Sequence, residues 1–103
     1  MSSKLSKLGI PSSFKLFAHT VTVKEVPNIP GLDKYADWDS SLNEIRVFTK
    51  GACDDVIVHS FYHELTHALL ERAGQLEWTK DEVTVDVIGG LLFQYVATQD
   101  TTS

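Results

Sequence analysis

Residues 53–74, CDDVIVHSFYHELTHALLERAG, are the segment that most strongly predicts the fold. Apolar residues recur at helical spacing, at positions 56, 57, 61, 65, 68, 69 and 70, and do not alternate as they would in a half-buried strand. Asp54 and Asp55 favour a helix start, and Gly74 is a typical helix stop. The pattern therefore predicts one long helix over residues 53–73.

Within this helix, residues 63–67 read His-Glu-Leu-Thr-His. Residues four apart on an α-helix point about 40° from one another, so His63 and His67 share a face. Two imidazoles at this spacing can bind one Zn²⁺, and Glu64 then lies where its carboxylate can take a proton from a zinc-activated water. The motif predicts a zinc-dependent metallopeptidase, a hydrolase of peptide bonds with His63 and His67 as metal ligands and Glu64 as general base.

A catalytic zinc site needs a third protein ligand. Glu82 is the favoured candidate, because Thr79 fits the N-cap of a second helix and Glu82 its third position, a capping-box arrangement. Asp86 shares a face with Glu82 and can hydrogen-bond the far nitrogen of a liganding histidine, as an outer partner of the metal site. Glu77, Asp81 and Asp86 remain alternatives as the third ligand.

Two adjacent glycines, Gly89 and Gly90, fall inside this second predicted helix. Each costs about 1 kcal/mol relative to alanine, so their presence needs a reason. Gly89 lies nearly on the face of Glu82 and Asp86, where a bare backbone would let the helix pack closely against the helix of His63. Close packing without a metal is the alternative explanation of the glycines.

With these residues in view, the stretch from about residue 34 to 94 resembles a minimal zincin domain. It is similar to the small ImmA/IrrE-type metallopeptidases and related phage-encoded zinc peptidases, and Glu82 with Asp86 resembles the Glu-x-x-x-Asp element of the thermolysin-like gluzincins. The resemblance implies a strand hairpin before the active-site helix, bound Zn²⁺, and a peptide or protein substrate. Two features differ from the thermolysin type. Only fourteen residues separate His67 from Glu82, and that type's additional histidine has no counterpart.

The chain before the motif predicts β-structure. Residues 14–26 predict one strand, residues 35–38 and 45–48 predict a hairpin, and a short helix is expected over residues 3–8. The order predicts an α+β fold, a small antiparallel or mixed sheet of about three strands followed by two packed helices that carry the zinc site. The last strand before the long helix is expected to run along the cleft and to pair with an extended peptide through an exposed edge.

Composition predicts one globular domain over residues 1–103, since 43% of the residues are apolar and 22% are charged. The longest apolar run, residues 87–93, is far below the roughly 20 residues of a membrane span, and no signal-like segment follows the N-terminus. A single cysteine, Cys53, excludes an internal disulfide and fits the cytoplasm. A net charge of −5 with scattered basic residues argues against direct nucleic-acid binding.

Two other classes remain open on the sequence. The first is a zinc-binding but catalytically silent zincin-like interaction module, and the second is a binding or structural protein whose motif holds no metal. A peptidase also needs a group that stabilises the oxyanion. The sequence does not choose among the candidates Tyr35, Tyr62, Tyr95 and His59.

Overall fold

A computed structural model describes residues 4–27 and 35–99 of the chain. The fold is α+β, as predicted: the long helix packs on a mixed sheet, and the last helix packs on the long one. In chain order the elements are α1 (Lys4–Lys7), β1 (Ser13–Leu16), β2 (His19–Val26), β3 (Ala36–Asp39), β4 (Glu44–Phe48), α2 (Asp54–Arg72), α3 (Leu76–Thr79) and α4 (Glu82–Ala97).

The sheet has four strands in the order β1-β2-β4-β3, with β2 and β4 parallel and the other two pairs antiparallel. The single strand predicted over residues 14–26 is therefore wrong, because this segment folds as the hairpin β1–β2. Phe17 and Ala18 form its two-residue turn, and Phe17 has a φ of 55°. Neither residue is a usual turn former, so the sequence carries no turn signal here.

The hairpin predicted over residues 35–48 is confirmed as β3–β4. Asp37 lies opposite Arg46 and forms an ion pair with it. In the connecting turn, the Asp39 side chain accepts hydrogen bonds from the backbone and hydroxyl of Ser41, and Asn43 has a φ of 50°. Because β4 pairs with β2 on one side and β3 on the other, it has no free edge. The edge predicted for the last strand before the long helix belongs instead to β3.

The long helix α2 confirms the helix predicted over residues 53–73 to within one residue at each end. Ile57, Val58 and Phe61 on its inner face are buried in the core, where each large apolar side chain contributes about 1.5–3 kcal/mol. The helix ends where Gly74 takes a φ of 78° and donates its N–H to the carbonyl of Glu71. The sheet contributes to the same core through Val21, Val23, Ile45 and Val47.

The last helix, α4, approaches α2 most closely at Gly89. A Cβ built on Gly89 would lie only 2.9 Å from the backbone oxygen of Tyr62, whereas a Cβ on Gly90 would meet nothing within 4 Å. The predicted close packing is thus confirmed at Gly89, and Gly90 has no such contact. The bare backbone at Gly89 is what allows the side chains of α4 to reach those of α2.

The outer face of α4 is apolar and exposed. Val83, Val87 and Leu91 are spaced four residues apart, so they share a face, and 73%, 57% and 61% of their surfaces are exposed. Within residues 4–27 and 35–99, no helix combines the length and the apolar content that a membrane span requires.

Candidate metal centre

His63 and His67 project from one side of α2, as the four-residue spacing predicts. Their ring centroids are 5.0 Å apart. The two side chains are only 20% and 16% exposed, which limits the conformations open to the rings. The helix thus presents two imidazoles side by side, with their Nε2 atoms directed to a common point near α4.

The common point is occupied by the carboxylate of Glu82, the first residue of α4. Its Oε2 atom lies 2.8 Å from His63 Nε2, and its Oε1 atom lies 3.2 Å from His67 Nε2. Ligand atoms of the three residues all lie within 4.8 Å of one another. A tetrahedral zinc with bonds of about 2.0–2.1 Å separates its ligand atoms by about 3.3 Å. The residues therefore fit Zn²⁺ with side-chain shifts of less than about 1 Å.

Asp86 lies on the other side of His63, one turn further along α4. Its Oδ1 atom is 3.2 Å from His63 Nδ1 and 2.7 Å from His59 Nε2. The hydrogen bond with His59, followed by that with His63, lowers the pKa of the Asp86 carboxyl below its usual value. An ionised carboxylate therefore bridges two histidines of α2, one of which also faces Glu82.

The N-cap of α4 differs from the prediction. Asp81 is the cap, since its carboxylate accepts hydrogen bonds from the backbone N–H groups of Val83 and Thr84 at 3.1 and 3.2 Å. Glu82 is consequently the first helical residue and not the third, and the predicted capping box is wrong. A carboxylate outcompetes the Thr79 hydroxyl because it also interacts favourably with the positive end of the helix dipole. Glu82 is left free of any capping role.

Thr79 has a position in the site that the sequence did not reveal. It is the last residue of α3, and its Oγ1 atom lies 2.8 Å from His67 Nδ1. Each histidine of the pair thus has a polar partner on Nδ1, the ring nitrogen that faces away from Glu82. This partner is Asp86 for His63 and Thr79 for His67. Partners of this kind hold an imidazole in one orientation and tautomer. Only the packing of α3 beside α2 brings Thr79 to His67, so no local sequence pattern signals it.

Asp86, an alternative third ligand, contacts His63 through Nδ1 and not through the Nε2 that faces Glu82, and the other acidic residues near the motif lie elsewhere. Glu77 is exposed on α3 and pairs with Lys80 at 3.6 Å, and Asp81 caps α4. Glu71, on α2, accepts a hydrogen bond from the indole N–H of Trp38 at 2.9 Å. Of the candidates from the sequence, Glu82 is the one whose carboxylate reaches both Nε2 atoms.

The three converging side chains open into a cavity of about 330 Å³. Glu64 lines this cavity and is 91% buried, since only 9% of its surface is exposed. Opposite α2, the wall is formed by Tyr35 and by Ala36, the first residue of the edge strand β3. The cavity therefore combines a potential metal ligand set, a buried carboxylate and a strand edge that pairs with no other strand of the described residues.

Two of the four candidates for oxyanion stabilisation reach the cavity. Tyr35 and His59 line it. Tyr62 instead packs against Phe93, with the two rings tilted and their centroids 5.5 Å apart, and burial raises the pKa of its hydroxyl. Tyr95 is 65% exposed near the end of α4 and does not line the cavity. The geometry reduces the candidates to Tyr35 and His59.

Comparison of the chain with models of known protein families, with curated proteins and with solved structures finds no match. Functional inference therefore rests on the residues of the site and on the chemistry of which they are capable.

Proposed function

We propose that this chain is a zinc-dependent metallopeptidase of the minimal zincin type, gluzincin-like in its ligand set. The convergence of His63, His67 and Glu82 beside the buried Glu64, in one cavity, is the observation that carries the proposal. Two imidazoles and one carboxylate are the protein ligands of thermolysin-like zinc sites. The resemblance of the sequence to ImmA/IrrE-type peptidases supports the same function.

His63, His67 and Glu82 would hold the metal. When bound, zinc supplies a Lewis acid that polarises a carbonyl and lowers the pKa of a water toward about 7. The surrounding residues fix the ligands. Asp86 accepts a hydrogen bond from the Nδ1–H of His63, and Thr79 accepts one from the Nδ1–H of His67. Both Nε2 atoms then carry no proton, and each can donate its lone pair to the metal.

Glu64 is the general base in this proposal. It follows His63 directly, which turns its side chain about 100° around the helix and keeps it out of the converging ligand set. It nevertheless lines the same cavity. From there its carboxylate accepts a proton from the attacking water and later transfers that proton to the leaving amine of the cleaved peptide bond.

The substrate is a peptide bound in extended form along β3. The N–H of Phe48 donates to the carbonyl of Tyr35, so in this antiparallel pair the backbone groups of Ala36 and Trp38 point away from β4. Among the described strands none pairs with this edge, so these groups can pair with a peptide strand that passes the cavity.

A catalytically silent zinc-binding module is the second candidate, and the histidines supply the observation that favours it. Thermolysin-type peptidases use an additional histidine on the oxyanion. Here His59 is bonded to Asp86, and His19 lies on β2 outside the cavity. In this reading the site binds zinc and peptide without cleaving the peptide.

Purified wild type and Glu64→Gln should be compared for zinc content and for cleavage of an unstructured protein such as casein. We expect both proteins to hold near-stoichiometric zinc, and the variant to lose about 10²- to 10⁴-fold in rate, the usual contribution of a general base. Glu77→Gln, exposed on α3 outside the cavity, is the matched control and should keep full activity.

The outcomes separate the candidates. Equal cleavage by wild type and Glu64→Gln would make the catalytic assignment wrong. Bound zinc without cleavage of any tested peptide would favour the silent module. Zinc content far below one per chain would contradict both readings. Glu82→Ala should lower zinc affinity by more than about 100-fold, since loss of an outer partner alone costs 10- to 100-fold.

A further inference from the structure

A second concave surface lies on the other side of α2. Two cavities, of about 490 and 230 Å³, run between β1 and α4 and share Leu69 and Leu92 in their walls. We call them together the β1 groove; its apolar lining also includes Phe14, Leu16, Leu65 and Val96. Leu65 follows His63 by two residues, or about 200° around α2, so the groove faces away from the metal centre.

The strand that borders this groove has a free backbone edge. Within the described residues, β1 pairs with β2 only. The N–H of Val23 donates to the carbonyl of Ser12, which sets the alternation of the ladder. Phe14 and Leu16 accordingly direct their backbone groups toward β2, and Ser13 and Lys15 present theirs to the open edge. A strand laid beside β1 would bond to Ser13 and Lys15.

Side chains along β1 alternate between the exposed side and the groove, and this alternation determines which residue types an added strand needs at each position. Phe14 and Leu16 are half-buried and line the two cavities, whereas Ser13 and Lys15 are exposed. On an added strand, two residues about 6.8 Å apart would therefore face the apolar groove. The residue between them would lie on the exposed side, beside Lys15.

The charges at the groove are all positive. Lys15 and Arg72 are the charged residues in its lining, although the chain as a whole has a net charge of −5. Arg72 is already engaged, because its guanidinium lies 4.0 Å from the Glu71 carboxylate and donates to the carbonyl of Ser40 at 3.0 Å. The charge open to a partner is therefore that of Lys15. Lys15 has no ion-pair partner among the described residues. A second copy of the chain is a poor occupant, since β1 itself contains no acidic residue to place beside Lys15. Charge complementarity favours an acidic residue on a different chain.

We propose that the β1 groove binds an extended segment of a partner protein, which adds to the sheet on β1 and carries an acidic residue between two large apolar residues. The apolar residues fill the two cavities, and the acidic residue pairs with Lys15. This interaction surface is independent of the metal centre and of the peptidase proposal.

The direct test selects random ten-residue peptides, displayed on phage, against wild type, Lys15→Glu and the control Lys50→Glu. Lys50 is exposed and lines neither cavity. We expect an apolar–acidic–apolar consensus with wild type and with the control. Charge reversal at Lys15 should change the central residue to lysine or arginine. Absence of enrichment, or the same central residue with Lys15→Glu, would overturn the proposal.

A synthetic peptide with the wild-type consensus then locates the site. Lys15→Glu should weaken its binding about three- to tenfold, in the range of a partly exposed ion pair made repulsive. Val96→Asp, which places a charge at the groove, should weaken it at least tenfold. Leu91→Asp, at a similarly exposed position of α4 outside the groove, should leave it unchanged.

Hydrogen exchange of single backbone amides distinguishes strand addition from nonspecific apolar contact, which would not protect the edge of β1. Peptide binding should slow exchange of the Lys15 amide, which faces the open edge, and leave that of the already bonded Phe14 nearly unchanged. Binding without protection of Lys15 would exclude strand addition. If light scattering detects a dimer of the wild type and none of Lys15→Glu, the occupant of the groove is a second copy of the chain. That result would contradict the proposal.

Discussion

His63 is the histidine of the site that contacts two carboxylates of α4. It faces Glu82 with one ring nitrogen and Asp86 with the other, and Asp86 in turn binds His59. His59 thereby helps to hold the Asp86 carboxylate against His63. A histidine that the sequence offers only as a possible oxyanion donor thus shares a carboxylate with His63, one of the proposed metal ligands.

This arrangement predicts a specific coupling in zinc affinity, measured by competition with a chelator. Asp86→Ala should weaken zinc binding about 10- to 100-fold, because His63 loses the acceptor that orients its ring. His59→Ala should weaken it less, and should have no further effect in an Asp86→Ala background. Glu25→Ala, exposed on β2, is the control. Additive losses in the double variant would show that His59 acts without Asp86.

At the scale of elements, the site depends on how closely α4 lies against α2. All three proposed ligands project from these two helices, and the contact at Gly89 sets the separation between them. At Gly90, the next residue, an added Cβ would meet nothing within 4 Å. The adjacent glycines therefore serve different purposes, which a pair of alanine substitutions can separate.

Gly89→Ala should destabilise the metal-free protein by about 1–3 kcal/mol, as overpacking against backbone atoms usually does. It should also lower zinc affinity, because the added methyl pushes Glu82 away from the histidines. Gly90→Ala should stabilise the protein by up to about 1 kcal/mol through helix propensity, with zinc affinity unchanged. Urea unfolding measures the stabilities. Equal effects of the two substitutions would contradict the proposed role of Gly89.

At the scale of the whole molecule, the ligand set ties distant parts of the chain together. The proposed ligand set would join the middle of α2 to the start of α4, while Tyr35 and Ala36, at the start of β3, line the same cavity. The outer face of α4 is exposed, so little apolar burial holds this helix from outside. A metal bound between α2 and α4 would therefore add stability that the core alone does not supply.

Zinc should consequently raise the stability of the chain as a linked ligand. At a free concentration 1,000 times its dissociation constant, the gain in unfolding free energy is about 4 kcal/mol, which raises Tm by about 15 °C or more. Glu82→Ala should remove most of this gain at the same zinc concentration, and Glu77→Ala should not. Scanning calorimetry with zinc and with a chelator provides the measurement. An unchanged Tm in wild type would argue against a site between the helices.

Local sequence was sufficient for the features that depend on residues close along the chain. The 3.6-residue period placed α2 within one residue at each end and put His63 and His67 on one face. The turn residues between positions 39 and 43 located the β3–β4 hairpin. In each case the interactions that fix the geometry lie within a few residues of one another, so periodicity and turn chemistry report them.

Features set by contacts between distant residues needed the folded molecule. The β1–β2 turn at Phe17 lacks turn formers, and the internal position of β4 depends on its pairing with β2. The contact of Thr79 with His67 and the shared carboxylate of Asp86 arise where α3 and α4 pack on α2. Contacts between side chains of different elements produce no periodic pattern in the sequence, because they depend on how the helices and strands pack together in the core.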